Sequence, residues 1–166
     1  MIGKWHKNKF IITSDNGNKK EIKELLKFLS TYSSKKKTFT SIDFNNILPL
    51  PSDIKYSKTY EFGVTEYINW RLLHWGTIWN PADIVINIKN YKTCPYVYIE
   101  FKTMYGRCSD ELIQVLCERF NDLSFNYQGE DGFNNITDIV YTKGKLEYYK
   151  NHNTVKGECK NEKIEL

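Results

Sequence analysis

Two runs near the middle of the chain limit its architecture more than any other feature. Ile84, Ile86 and Ile88 alternate with Asp83, Val85, Asn87 and Lys89. Val97, Ile99 and Phe101 then alternate with Tyr96, Tyr98, Glu100 and Lys102. A period of two puts every second side chain on the same face of a strand, so each run has one apolar and one wetter face. Asn90 to Pro95 between them is turn-forming, so the runs read as a hairpin. Such a hairpin implies an antiparallel sheet with one buried face and one facing water.

The apolar face needs a cover, and helical periodicities supply it. Ile22, Leu25, Leu26 and Leu29 fall at i, i+3, i+4 and i+7. Asn18 with Glu21 three residues on resembles a capping box, and the helix is expected to run to about Tyr32. Ser109, followed by Asp110 and Glu111, starts a second helix whose apolar face is Leu112, Val115, Leu116 and Phe120. A third follows Thr65, with Ile68, Leu72 and Trp75 on one face. Lys9–Thr13 and Leu123–Tyr127 read as strands, Gly129–Gly132 as a turn, and Ile139–Thr142 and Leu146–Tyr149 as a hairpin around Lys143-Gly144-Lys145. Phe39 to Leu48 leads into Pro49-Leu50-Pro51, an edge or extended connector because proline cannot join a central ladder. Ser52–Gly63 reads as a loop. The expected order is β-α-β-α-β-β-α-β-β-β. It makes a single α+β domain over residues 1–150, a mainly antiparallel sheet with helices packed on one face, and a polar tail over 151–166.

Charge and cysteine usage exclude several classes. The net charge is +4, which permits an acidic or nucleic-acid partner without the dense basic stripe of a dedicated nucleic-acid binder. Cys94, Cys108, Cys117 and Cys159 have neither zinc-site nor disulfide-framework spacing, and His6, His74 and His152 are scattered. Cys117 reads as a buried free thiol. No apolar run approaches the ~20 residues of a membrane-spanning helix, and no leader pattern opens the chain. A cytoplasmic protein with no membrane association is expected.

Trp75-Gly76-Thr77-Ile78-Trp79-Asn80-Pro81 joins the third helix to the Ile84 strand. Two tryptophans and a glycine there point to a packed turn, with both rings locking the helix onto the sheet. This block and four others resemble the phage and plasmid proteins that carry a YubB-type ferredoxin-like domain. The others are Trp5-His6-Lys7-Asn8, Phe44 to Pro51, Phe101-Lys102-Thr103-Met104-Tyr105 and Glu130-Asp131-Gly132. The match runs over residues 5 to 133, most specifically at Trp75, Gly76, Thr77 and Trp79 and at Pro49 and Pro51. Ile78 and Asn80 stand where relatives carry lysine and aspartate, and Met104-Tyr105 where they carry Ala-Trp. The resemblance implies a ferredoxin-like sandwich and a mobile-element setting; the cysteine spacing gives no iron–sulfur signature, and no cofactor is expected.

Three chemistries are legible. Pro81-Ala82-Asp83 with Glu100-Phe101-Lys102 matches the PD-(D/E)xK pattern of a Mg-dependent nuclease. A hairpin would set Asp83 and Glu100 side by side for Mg2+, with Lys102 to stabilise developing charge. Tyr96, Tyr98 and Lys102 on a wet sheet face, with Lys35, Lys36 and Lys37 in a loop, would suit RNA or DNA binding. His74 is a candidate base by type alone. No P-loop, dinucleotide fingerprint or nucleophile elbow is present. The leading expectation is a non-enzymatic phage accessory protein. It would bind and block a host protein or protein–nucleic-acid complex, such as a CRISPR effector, as an anti-CRISPR-like inhibitor.

Overall fold

The computed structural model describes residues 4–30, 41–55, 60–61, 64–89, 95–130 and 135–153. Its main element is a six-stranded sheet, ordered β4-β5-β1-β6-β7-β8, in which every neighbouring pair is antiparallel. The strands are β1 (Trp5–Thr13), β4 (Ala82–Lys89), β5 (Tyr96–Met104), β6 (Ser124–Glu130), β7 (Asn135–Thr142) and β8 (Lys145–Asn153). Two short strands, β2 (Tyr60–Glu61) and β3 (Val64–Thr65), pair separately. The helices are α1 (Lys19–Leu29), α2 (Phe44–Ile47), α3 (Ser52–Lys55), α4 (Glu66–Trp75) and α5 (Asp110–Arg119).

Burial in the central strands alternates strictly. Phe10 and Ile12, Val97, Ile99 and Phe101, Phe125 and Tyr127, and Ile139 and Tyr141 are buried on one face. Against it pack Ile22, Leu25, Leu26 and Leu29 of α1, Phe44 and Ile47 of α2, and Leu112, Ile113, Leu116 and Cys117 of α5, forming one core. Among the described residues the helices thus cover one face of the sheet, as the sequence leads one to expect. Phe10 stacks near Phe101 and packs tilted against Tyr127, tying the three central strands together.

Local chemistry sets the element ends. Asn18 caps α1 by accepting from the Lys20 amide, and its side-chain amide donates to Glu21. Ser109 caps α5 through the Leu112 amide. Lys143 and Gly144, both at positive φ, close the β7–β8 hairpin as a two-residue turn whose twist suits the flanking strands.

Several expectations are corrected. The first helix stops at Leu29 with Ser30 as its cap. The segment before Pro49 is not a strand: Asp43 accepts from the Asn45 amide and nucleates α2, and α3 follows Pro51. Leu72 is exposed, because α4 turns Trp75 inward and leaves Leu72 and Leu73 to solvent. Gly129 lies inside β6, and β8 continues to Asn153. The tail beyond it lies outside the described residues.

Candidate binding face

The face of the sheet that no described helix covers carries Tyr96, Tyr98, Glu100 and Lys102. In register, Lys7 lies opposite Lys102, Lys9 opposite Glu100 and Ile11 opposite Tyr98. Tyr96, Tyr98 and Lys102 are half-buried within the sheet, and Lys35, Lys36 and Lys37 lie outside the described residues.

The geometry departs from the expected metal site. Val85 faces Glu100 and Ala82 faces Lys102, with a bulge between Ala82 and Val85. Asp83 sits in that bulge at φ 51°, where it has no register partner on β5. Its carboxylate instead accepts from Lys102 Nζ at 2.8 Å. That contact holds the Lys102 ammonium above its ordinary range. Glu100 accepts from the Tyr98 hydroxyl, which raises the Tyr98 pKa. The two carboxylates are thus each engaged with a different neighbour. Among the described residues no group of three or more His, Cys, Asp and Glu side chains is placed to hold a metal ion. His74 Nδ1 meets Glu111 at 2.8 Å and its ring stacks on Trp70, while the Ser109 hydroxyl donates to the His74 carbonyl and not to the ring.

The tryptophan block divides into a buried base and an exposed rim. Trp75 is buried, donates its indole N–H to the Leu48 carbonyl at 2.9 Å, and packs edge-on against Phe44. Arg71 lies over its ring. Gly76, at φ 79°, lets two backbones touch: a β-carbon there would meet the Arg107 carbonyl oxygen at 2.2 Å. Thr77 is buried and donates to the Met104 carbonyl at 2.7 Å. Asn80 accepts from the Phe44 amide and donates to Asp43, tying the block to the start of α2. Trp79, however, is 50% exposed and does not lock α4 onto the sheet. Pro49 and Pro51 flank the α2–α3 junction, Pro49 exposed and Pro51 half-buried.

Beneath the block lies a polar network centred on Asn8, which is fully buried. Its amide donates to the His6 carbonyl at 3.1 Å and to the Thr103 hydroxyl at 2.8 Å. Its oxygen accepts from the Cys108 amide at 3.0 Å and from the Tyr127 hydroxyl at 2.6 Å. A β-carbon at Gly129 would sit 2.2 Å from that hydroxyl, so glycine there leaves Tyr127 room to reach Asn8. Burial pushes the Cys108 thiol up to about 12 and the Tyr127 hydroxyl well above its usual range.

The composite result is a corner that no single motif reveals. Trp5 pairs with Met104, the Tyr105 amide donates to the Lys4 carbonyl, and the Thr77 hydroxyl also lies 3.5 Å from the Trp79 carbonyl. The fold thereby brings the backbones of Trp5, Trp79 and Tyr105 to one end of the sheet, with the three residues 46%, 50% and 47% exposed. Tyr105 has φ 77°, costly for a bulky residue.

The fold has a known counterpart. It is similar to the crystal structure of a protein api92 from Yersinia pseudotuberculosis, described under the family model DUF1281, with a TM-score of 0.54 at 14% sequence identity. The likeness covers 76% of this chain and 49% of that one, so the chain spans about half its length. No family model matches the chain, and no curated protein matches it. At this identity the likeness shows a sheet-and-helix domain and nothing about activity.

Proposed function

We propose that the protein is a non-enzymatic binding protein that occupies a partner macromolecule with the open face of its sheet. The observation that carries this is the asymmetry of the sheet: the described helices pack on one face, and the other presents Lys7, Tyr98 and Lys102 with no described helix over it. The nuclease reading is weaker because Lys102 ties up Asp83 and Tyr98 engages Glu100. By the resemblance to phage and plasmid proteins, the partner is a host factor that the protein blocks, a defence system among the candidates.

Incubation with labelled DNA and RNA plus Mg2+ or Mn2+ tests the first half of this reading. No cleavage is expected, and cleavage abolished by Glu100→Ala would replace it with the nuclease. Affinity capture from host-cell lysate tests the second half. The wild-type chain is expected to retain a partner that Lys9→Glu combined with Tyr98→Ala releases.

A further inference from the structure

We infer that the cleft between α1 and the end of α5 binds a basic α-amino acid, a molecule with one carboxylate and two cationic groups. The cleft has a volume of about 520 Å³, and its lining includes Glu21, Glu24, Phe28, Arg119, Phe120 and Asp122. That size is in the range that holds a small metabolite. Its walls come from helices packed on the covered side of the sheet. The site is therefore separate from the open face and stands without the binding reading above.

Local structure sets each wall. Glu21, Glu24 and Phe28 fall at i, i+3 and i+7 along α1, one stripe of that helix. Asn18 fixes the Glu21 side chain by donating to one carboxylate oxygen at 2.8 Å. The other, Oε2, is shut off from solvent and has no donor among the described residues. A buried carboxylate oxygen without a donor is costly, and an ammonium in the cleft supplies one. On the second wall the Leu123 amide donates to the Phe120 carbonyl at 2.9 Å and closes the turn that presents Asp122. Phe28 and Phe120 meet at 5.4 Å, an apolar patch for an aliphatic stem. Arg119 lies 4.2 Å over the Phe28 ring and makes no ion pair with a described residue. Stacking orients the planar guanidinium and leaves its N–H edge for a carboxylate.

Charge then selects the ligand. Three carboxylates against one guanidinium leave the cleft negative in a chain of net charge +4. The C-terminal end of α5, just before Asp122, adds partial negative charge. Glu24 is engaged by Lys20 at 3.8 Å, which leaves Glu21 and Asp122 for two cations and Arg119 for one anion. Free lysine or arginine carries those three charges. A diamine leaves Arg119 unmatched, and a neutral amino acid leaves a carboxylate unmatched.

The test is isothermal titration of the full chain with L-lysine and L-arginine at matched ionic strength. Saturable binding of both is expected, with a rise in melting temperature at saturating ligand. Cadaverine lacks the carboxylate and L-norleucine lacks the side-chain ammonium. Each should bind about tenfold or more weakly than L-lysine, the loss of one hydrogen bond to a charged group. Asp122→Asn should weaken L-lysine about tenfold. Arg119→Gln should weaken L-lysine by a similar factor of about ten and leave cadaverine no weaker. Both positions are exposed, so the unliganded variants should melt with the wild type. No saturable binding of either amino acid overturns the inference, as does binding that Arg119→Gln and Asp122→Asn leave untouched. Cadaverine binding as tightly as L-lysine overturns the role of Arg119 and makes the ligand a polyamine. Equal affinity for Nα-acetyl-lysine overturns the free amino acid and makes the occupant the C-terminal residue of a polypeptide.

Discussion

Replacing Asn8 by alanine removes one small side chain, yet it should be among the most damaging single changes to this fold. Two buried donors, the Cys108 amide and the Tyr127 hydroxyl, both end on the Asn8 oxygen. Each orphaned donor costs about 1–3 kcal/mol. The Thr103 hydroxyl keeps the Gly106 carbonyl as its acceptor and adds little to the loss. The sum for Asn8→Ala is about 2–6 kcal/mol, a large share of the ~5–15 kcal/mol that holds a typical domain together. Tyr127→Phe alone should cost only about 1 kcal/mol, because the Asn8 oxygen keeps the Cys108 amide. In the Asn8→Ala background the same tyrosine change should cost less than it does alone, since the hydroxyl has already lost its Asn8 acceptor. Urea titrations followed by circular dichroism, with unchanged m-values, measure all four corners of this cycle. A loss below about 1 kcal/mol for Asn8→Ala, or strictly additive losses in the double variant, would refute the reasoning.

Two further outcomes follow from the same region. Gly76→Ala should destabilise the domain by about 3 kcal/mol or more, because the added carbon meets backbone at 2.2 Å and the residue sits at φ 79°; thermal melting monitored by fluorescence checks this. Cys108 and Cys117 are buried and free, and burial raises both thiols. They should react with a thiol reagent only on unfolding. Their unfolded pKa is about 9.0, so above that pH the unfolded chain loses protons that the native chain keeps. Stability should therefore be flat below pH 9 and fall as pH rises toward 12; a stability maximum above pH 10 would contradict it.

What the sequence disclosed was local. The β4–β5 and β7–β8 hairpins, the Asn18 cap and the Ser109 cap are each written in a few adjacent residues, and each is present. The first half of β1 was hidden because its inward positions are His6 and Asn8 while Trp5 and Lys7 face out, the reverse of an apolar-in pattern. The helices around Pro49 were missed because each is only four residues long, too short to show a period. In α5, Ile113 and Cys117 widen the inner face beyond the stripe that spacing suggests. The candidate carboxylates were found, but a single bulge at Asp83 decides their geometry. The exposed corner was invisible because it depends on register between residues about a hundred positions apart, such as Trp5 and Met104.

The central position of β1 has a consequence for how the chain is made. Thr13 pairs with Tyr96 on one side and Asn8 with Gly129 on the other, so both neighbours of the earliest strand are synthesised long after it. Until they emerge, Phe10-Ile11-Ile12 is an apolar segment with two open ladders, the kind of run that nucleates aggregation. Lys7 and Lys9 just before it act as charged gatekeepers during that interval. A nascent chain halted before β6 keeps one of those ladders open, which makes premature termination more hazardous here than in a fold whose strands pair in order of synthesis.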